Sequence, residues 1–222
     1  MKSILVSRIS LIVVIVLLFS SCDKHIVKGN GNTGTEERTI SNFSRVRMEC
    51  EGTILIDKGP VFKVTVTDDD NLLSYVKTRL VGDELRVSYK DNTWVRKGNL
   101  IVRVTMPDLG AVRVDSKGTI DVIGKFDMAG TLYASVDGLG KIYVRDASAN
   151  EFKVDIDGKG DIYAFGLKAK KAAVKIDGMG DTEINVSESM DVKISGSGDV
   201  YYMGNPPVIT TKISGKGRII KR

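Results

Sequence analysis

The sequence predicts an all-β fold, a right-handed parallel β-helix (β-solenoid) with coils of about 20 residues, on three observations. First, the 222-residue chain holds 23 glycines but only 4 prolines, and its many short Val/Ile runs fit strands joined by tight corners. Second, one segment recurs as VDSKGTIDV (114–122), VDGLGKIYV (136–144), IDGKGDIYA (156–164), IDGMGDTEI (176–184), ISGSGDVYY (194–202) and ISGKGRIIK (213–221). The last shared glycines, Gly118, Gly140, Gly160, Gly180, Gly198 and Gly217, are spaced by 22, 20, 20, 18 and 19 residues. A near-constant period of this length marks a stacked array. Third, apolar residues alternate strictly around each glycine pair, as in Phe152/Val154/Ile156 before the turn and Ile162/Ala164 after it. Period-two alternation with one buried face is a strand pattern. Antiparallel hairpins folded into a sandwich would share the alternation, but the constant period favours the solenoid.

Taken in order, residues 1–21 read as a secretory signal. Lys2 and Arg8 precede an apolar run from Ile9 to Phe19, which ends in Ser20-Ser21-Cys22. The run is too short for a membrane-spanning helix, which needs about 20 residues. Leu18-Phe19-Ser20-Ser21-Cys22 resembles a bacterial lipobox, although Phe19 stands where an aliphatic residue is usual. The resemblance implies that Cys22 becomes the N-terminus, carries lipid and holds the protein on a membrane. Residues 22–38, polar and rich in Gly and Asn, are expected to form a flexible tether. Removal of Lys2 and Arg8 lowers the formal charge from +5 to +3. With no dense Lys/Arg run, nucleic acid is not an expected partner.

Residues 39–222 read as one domain. Within it, 39–110 supply strands at 44–48, 53–56, 61–67, 84–90 and 99–106, with a short helix in Asp70–Leu80 turning Leu72, Leu73 and Val76 inward. They are expected to form the first coils and a cap. MECEGTILI (48–56) fits the repeat frame through Gly52. Residues 111–222 are the regular repeats. Each reads strand, glycine turn, strand, with the glycines expected to supply positive φ at the corner.

The stretches NFSRVRMECEGTILI, MPDLGAVRVDSKGTI and MDVKISGSGDVYYMGNPPVITTKISGKGRI, with the serial S/D-G-x-G turns, resemble the GIN domain, a family described as the head of auto-transporter adhesins and abundant in Bacteroidota. The resemblance spans about residues 39–222. It implies a β-helical fold, an envelope or surface location and no established enzymatic activity. This sequence carries Asp-Gly where the family prefers Ser-Gly, and Asp115-Ser116 where a glycine is expected.

Stacking turns repeated residues into columns. Asp115, Asp137, Asp157 and Asp177 form an acidic column that gives way to Ser195 and Ser214. Asp161, Asp181 and Asp199 form a second, and Lys175, Lys193 and Lys212 a basic one. Stacked carboxylates repel unless neutralised. Calcium between coils at Asp137, Asp157 and Asp177 is one reading. Hydrogen bonding to turn amides is the plainer one, so no metal or cofactor is expected. Tyr143, Tyr163 and Tyr201, with Glu183 filling the rung between the last two, share an outward position suited to sugars or an extended peptide. Tyrosine's preference for strands explains the same row without a ligand. Cys50 aligns with a turn glycine and lacks a His partner, and Trp94 is either a cap contact or an exposed anchor.

His25 is the only histidine, which excludes His-dependent triads and ordinary zinc sites from the domain. No catalytic residue is expected. The predicted function is a non-enzymatic, lipid-anchored envelope protein, on a surface or periplasmic face, binding glycans or proteins. The alternatives are an envelope assembly module binding another membrane protein, or a carbohydrate-active β-helix enzyme.

Overall fold

In a computed structural model, residues 25–222 are described. The signal reading of 1–21 and the lipid site at Cys22 lie outside the described residues. The main body is a stack of parallel coils, as the period required. One sheet stacks β3 (Arg45–Met48), β10 (Ala111–Val114), the end of β12 (Phe126–Val136), and the end of β14 (Ala147–Ile156) in register. It continues through the ends of β15 (Asp161–Ile176) and β16 (Thr182–Ile194) to β18 (Val208–Ile213). The second sheet stacks β4 (Thr53–Lys58), β11 (Thr119–Val122) and β13 (Lys141–Val144), then the starts of β15 and β16, then β17 (Val200–Met203) and β19 (Ile219–Lys221).

A third, short side was not read from the sequence. Phe126, Ala147 and Leu167 stack there, as do Met128, Ala149, Ala169 and Val186. The ladder shifts register at the corners, between Met128 and Thr131 and between Tyr163 and Lys168.

Alternation drives the core. Val112, Ala134, Val154, Val174 and Val192 stack on one side, and Ile120, Ile142 and Ile162 on the other, all buried. Each aliphatic chain removed from water contributes about 1.5–3 kcal/mol, and a single coil could not bury its stripe alone.

The glycine turns have a different cause from the one expected. Positive φ among glycines occurs only at Gly31, Gly52, Gly82 and Gly204 among the described residues, so within the repeat frame only Gly52 has it and the turn glycines from Gly118 to Gly217 do not. Instead, a Cβ on Gly158, Gly178 or Gly196 would sit 1.7–2.1 Å from the carbonyl oxygen of the equivalent glycine one coil earlier. The column is glycine because backbone packs directly on backbone.

Coil order is not chain order. β7 (Glu84–Tyr89) and β9 (Ile101–Met106) lie outside β3 and β4, which pack directly under β10 and β11. Antiparallel strands close this end: β5 (Lys63–Asp69) on β9 and β6 (Val76–Val81) on β7. The expected helix is one turn, α1 (Asp70–Leu73), and Val76 already opens β6; Leu72, Leu73 and Val76 are buried as predicted. Buried Asp68 locks the cap, accepting from the Tyr89 hydroxyl at 3.0 Å and the Asn99 amide at 2.8 Å. A cap of this kind hides strand edges that would otherwise pair.

The tether reading needs correction over residues 25–38. β1 (His25–Lys28) pairs with β8 (Thr93–Arg96), and β2 (Thr33–Arg38) runs antiparallel to β5. Their backbone groups find partners in distant strands, so a polar composition does not leave them loose.

Candidate functional site

The outer face of the second sheet carries the tyrosine row. Register places Asp121, Tyr143, Tyr163, Glu183 and Tyr201 on successive rungs. Each sits between two inward residues, as in Ile142-Tyr143-Val144, so the pleat turns it outward. The rings of Tyr143 and Tyr163 lie 5.0 Å apart at 15°, one strand spacing. Such stacking uses the facing sides of the rings and leaves both tyrosines half-buried.

Three cations that the sequence reading did not single out complete the row. Arg145 lies 5.2 Å from the Tyr143 ring centre, Lys141 5.6 Å from Tyr163, and Arg222 4.6 Å from Tyr201. Arg145 also forks onto Asp121 through two 2.8 Å bonds, a geometry that fixes both side chains. The Tyr163 hydroxyl donates to Asp161 at 3.1 Å. Burial, with Asp161 beside it, pushes that hydroxyl up to about 12. Burial also lifts the Glu183 carboxyl above its usual range, against the opposing pull of Arg222. The result is a straight row of hydroxyls, carboxylates and cations that can donate to and accept from a polyhydroxylated or extended ligand.

The two acidic columns do different work. Along the first, backbone bonds repeat from coil to coil: the amides of Asp137, Asp157 and Asp177 donate to the carbonyls of Val114, Val136 and Ile156. Cations partner some of its carboxylates. Arg47 Nε donates to Asp115 at 2.6 Å, and Lys175 lies 2.5 Å from Asp177, whose carboxyl that lysine and Ser195 hold below the usual range. Among the described residues, no three His, Cys, Asp or Glu side chains converge on a common cation position. Asp137, Asp157 and Asp177 stand one to a coil.

Amide acceptance, expected of the first column, is met by the second. Asp161 accepts from the amide of Asp181 at 3.1 Å, Asp181 from that of Asp199 at 2.7 Å, and Asp199 from that of Arg218 at 2.8 Å. Each carboxylate staples its coil to the next. The guanidinium of Arg218 ends the ladder on Asp199, 2.5 Å away, and holds that carboxyl low.

Cys50 is buried, its thiol pushed up to about 12 chiefly by burial. Burial of this kind disfavours the thiolate that nucleophilic chemistry requires. Trp94, in β8, is 57% exposed and borders a cleft of about 780 Å³ with Tyr89, Arg96, Lys97 and Lys117. No helix among the described residues is long and apolar enough to cross a membrane.

A family model described as "Putative auto-transporter adhesin, head GIN domain" matches residues 42–206. No curated protein matches the chain. Among solved structures, a "putative adhesin" from Bacteroides fragilis is similar at a TM-score of 0.71 and 19% identity, over 88% of this chain and 100% of that one. A "putative lipid binding protein" from Parabacteroides distasonis gives 0.59 and 21%, over 89% and 99%. A "putative adhesin" from Parabacteroides merdae gives 0.55 and 22%, over 89% and 99%. At such identities these likenesses speak for the fold.

Proposed function

The chain belongs to the family described as the head GIN domain of auto-transporter adhesins, and from that premise we propose that it is a non-enzymatic binding protein of the cell envelope. A lipid on Cys22 anchors it in the outer membrane, and the rigid solenoid presents its second sheet to glycans or envelope proteins. The observation that carries this reading is the row Tyr143, Tyr163, Glu183 and Tyr201, with Arg145, Lys141 and Arg222 against its rings. Its groups are held in place by the coils beneath, so little ordering entropy opposes ligand capture.

Against catalysis stands the layout of the acids. Paired carboxylates acting on a sugar need unlike environments within one cleft, whereas these repeat at equivalent positions along a stack. Native gels cast with envelope polysaccharides, run beside a reducing-end assay, separate the two cases. Retarded migration with no release of reducing ends is expected. Release above the buffer background would overturn the non-enzymatic reading.

A further inference from the structure

The two ends of the solenoid differ. β5 and β6 close the N-terminal end. At the other, among the described residues, no strand pairs with the outer side of β18 or β19. All six residues of β18 are exposed, including Ile209 and Ile213 at 45%, although register puts these two over buried Met190 and Ile194. The Ser214 amide donates to the Ile194 carbonyl, so even positions of β18 bond to the coil below. The odd positions, Ile209, Thr211 and Ile213, therefore turn both backbone N–H and C=O toward the open end.

Charge selects what can pair there. Residues 200–222 hold Lys212, Lys216, Arg218, Lys221 and Arg222 and no Asp or Glu, so this end is far more basic than the rest of the chain. Two copies meeting end to end would oppose these cations, and like charges across paired strands disfavour pairing. Head-to-tail stacking would bring β18 onto β6, which runs antiparallel to the coils and does not continue their parallel ladder.

We propose that this end is a docking edge for an extended acidic segment of another polypeptide, which adds to β18 as the next strand. Alternating side chains of that segment would cover Ile209 and Ile213, while its acidic residues face Lys212 on the adjoining rung. The mode is strand addition, on a surface apart from the tyrosine row.

Fluorescence anisotropy of the full chain with a labelled peptide of alternating valine and glutamate, about six residues long, tests this. Binding that weakens with salt is expected, with none to a valine/lysine peptide. Thr211→Pro removes one outward N–H and leaves the ladder to β16 intact. It is expected to weaken binding by about tenfold or more without lowering the melting temperature. Lys212→Glu/Lys216→Glu, which leaves the backbone untouched, should do the same. Equal binding of both peptides, or indifference to both variants, overturns the proposal. So does a concentration-dependent dimer abolished by Thr211→Pro, which would make a second copy the occupant. Binding to phosphatidylglycerol vesicles that survives Thr211→Pro, with no peptide binding, would assign the end to a membrane instead.

Discussion

Gly180→Ala is expected to lower the melting temperature steeply, while Gly130→Ala leaves it unchanged or raises it. A Cβ at Gly180 would stand 1.7 Å from the Gly160 carbonyl oxygen and 2.7 Å from its carbon. The obstacle is backbone, held in place by the coils on either side, so it cannot swing aside as a side chain would. Overpacking costs about 1–3 kcal/mol and occasionally more, and a collision this close belongs at the upper end. For a chain of this size, that is a fall of roughly 6–12 °C. At Gly130 nothing lies within 4 Å and φ is not left-handed. There the added methyl only restricts the unfolded chain, a gain of about 0.4–1 kcal/mol. Paired calorimetric scans decide the matter. A Gly180→Ala melt matching wild type would mean that the turns do not stack backbone on backbone.

Phe152→Ala is expected to be the most damaging of the core truncations. Register sets Phe152 between Leu132 on one rung and Ala172 on the next. The large ring fills space that the small Ala172 leaves, and it is 1% exposed. Truncation would place two alanines in succession along the column, opening a void that the rigid coils cannot close. Losses for buried phenylalanine run to about 3–5 kcal/mol. Phe152→Leu, which keeps most of the volume, is expected to lose much less. Denaturant titrations of the two variants check this, and equal midpoints would show that the site collapses around the deletion.

Much of the fold was legible because the repeat records contact between neighbouring coils. Gly118 through Gly217 marked the corners, and the alternation around them placed the core. What the repeat could not convey was why glycine is needed. A glycine in sequence looks the same whether φ or a neighbouring carbonyl requires it, and here the carbonyl does. Residues 25–38 were misread because composition reports local tendency, while β1 and β2 take their partners from strands 26 to 68 positions away. MECEGTILI showed that β3 and β4 share the coil frame. Their place directly under β10 and β11 was hidden, since the cap and the outermost coil intervene in the chain.

The candidate site was legible in part for similar reasons. Tyr143, Tyr163, Glu183 and Tyr201 keep a fixed offset from the turn glycines, so spacing alone aligned them. Arg145 and Lys141 lie two residues to either side of Tyr143 on the same outward face, and the alternation could have found them. Arg222 comes from the rung after Tyr201 and needed the register. The Asp161, Asp181 and Asp199 staples were visible as a column, but only coordinates distinguish an amide of the next coil from one in the same turn.

The claim that the tyrosine row is the binding surface is met most directly by a glycan array probed with wild type and Tyr143→Ala/Tyr163→Ala. The variant is to be confirmed as folded by its melting temperature. Wild type is expected to bind a defined subset of glycans, and the variant to lose those signals while remaining folded. A folded variant that binds the same glycans as strongly as wild type would contradict the claim.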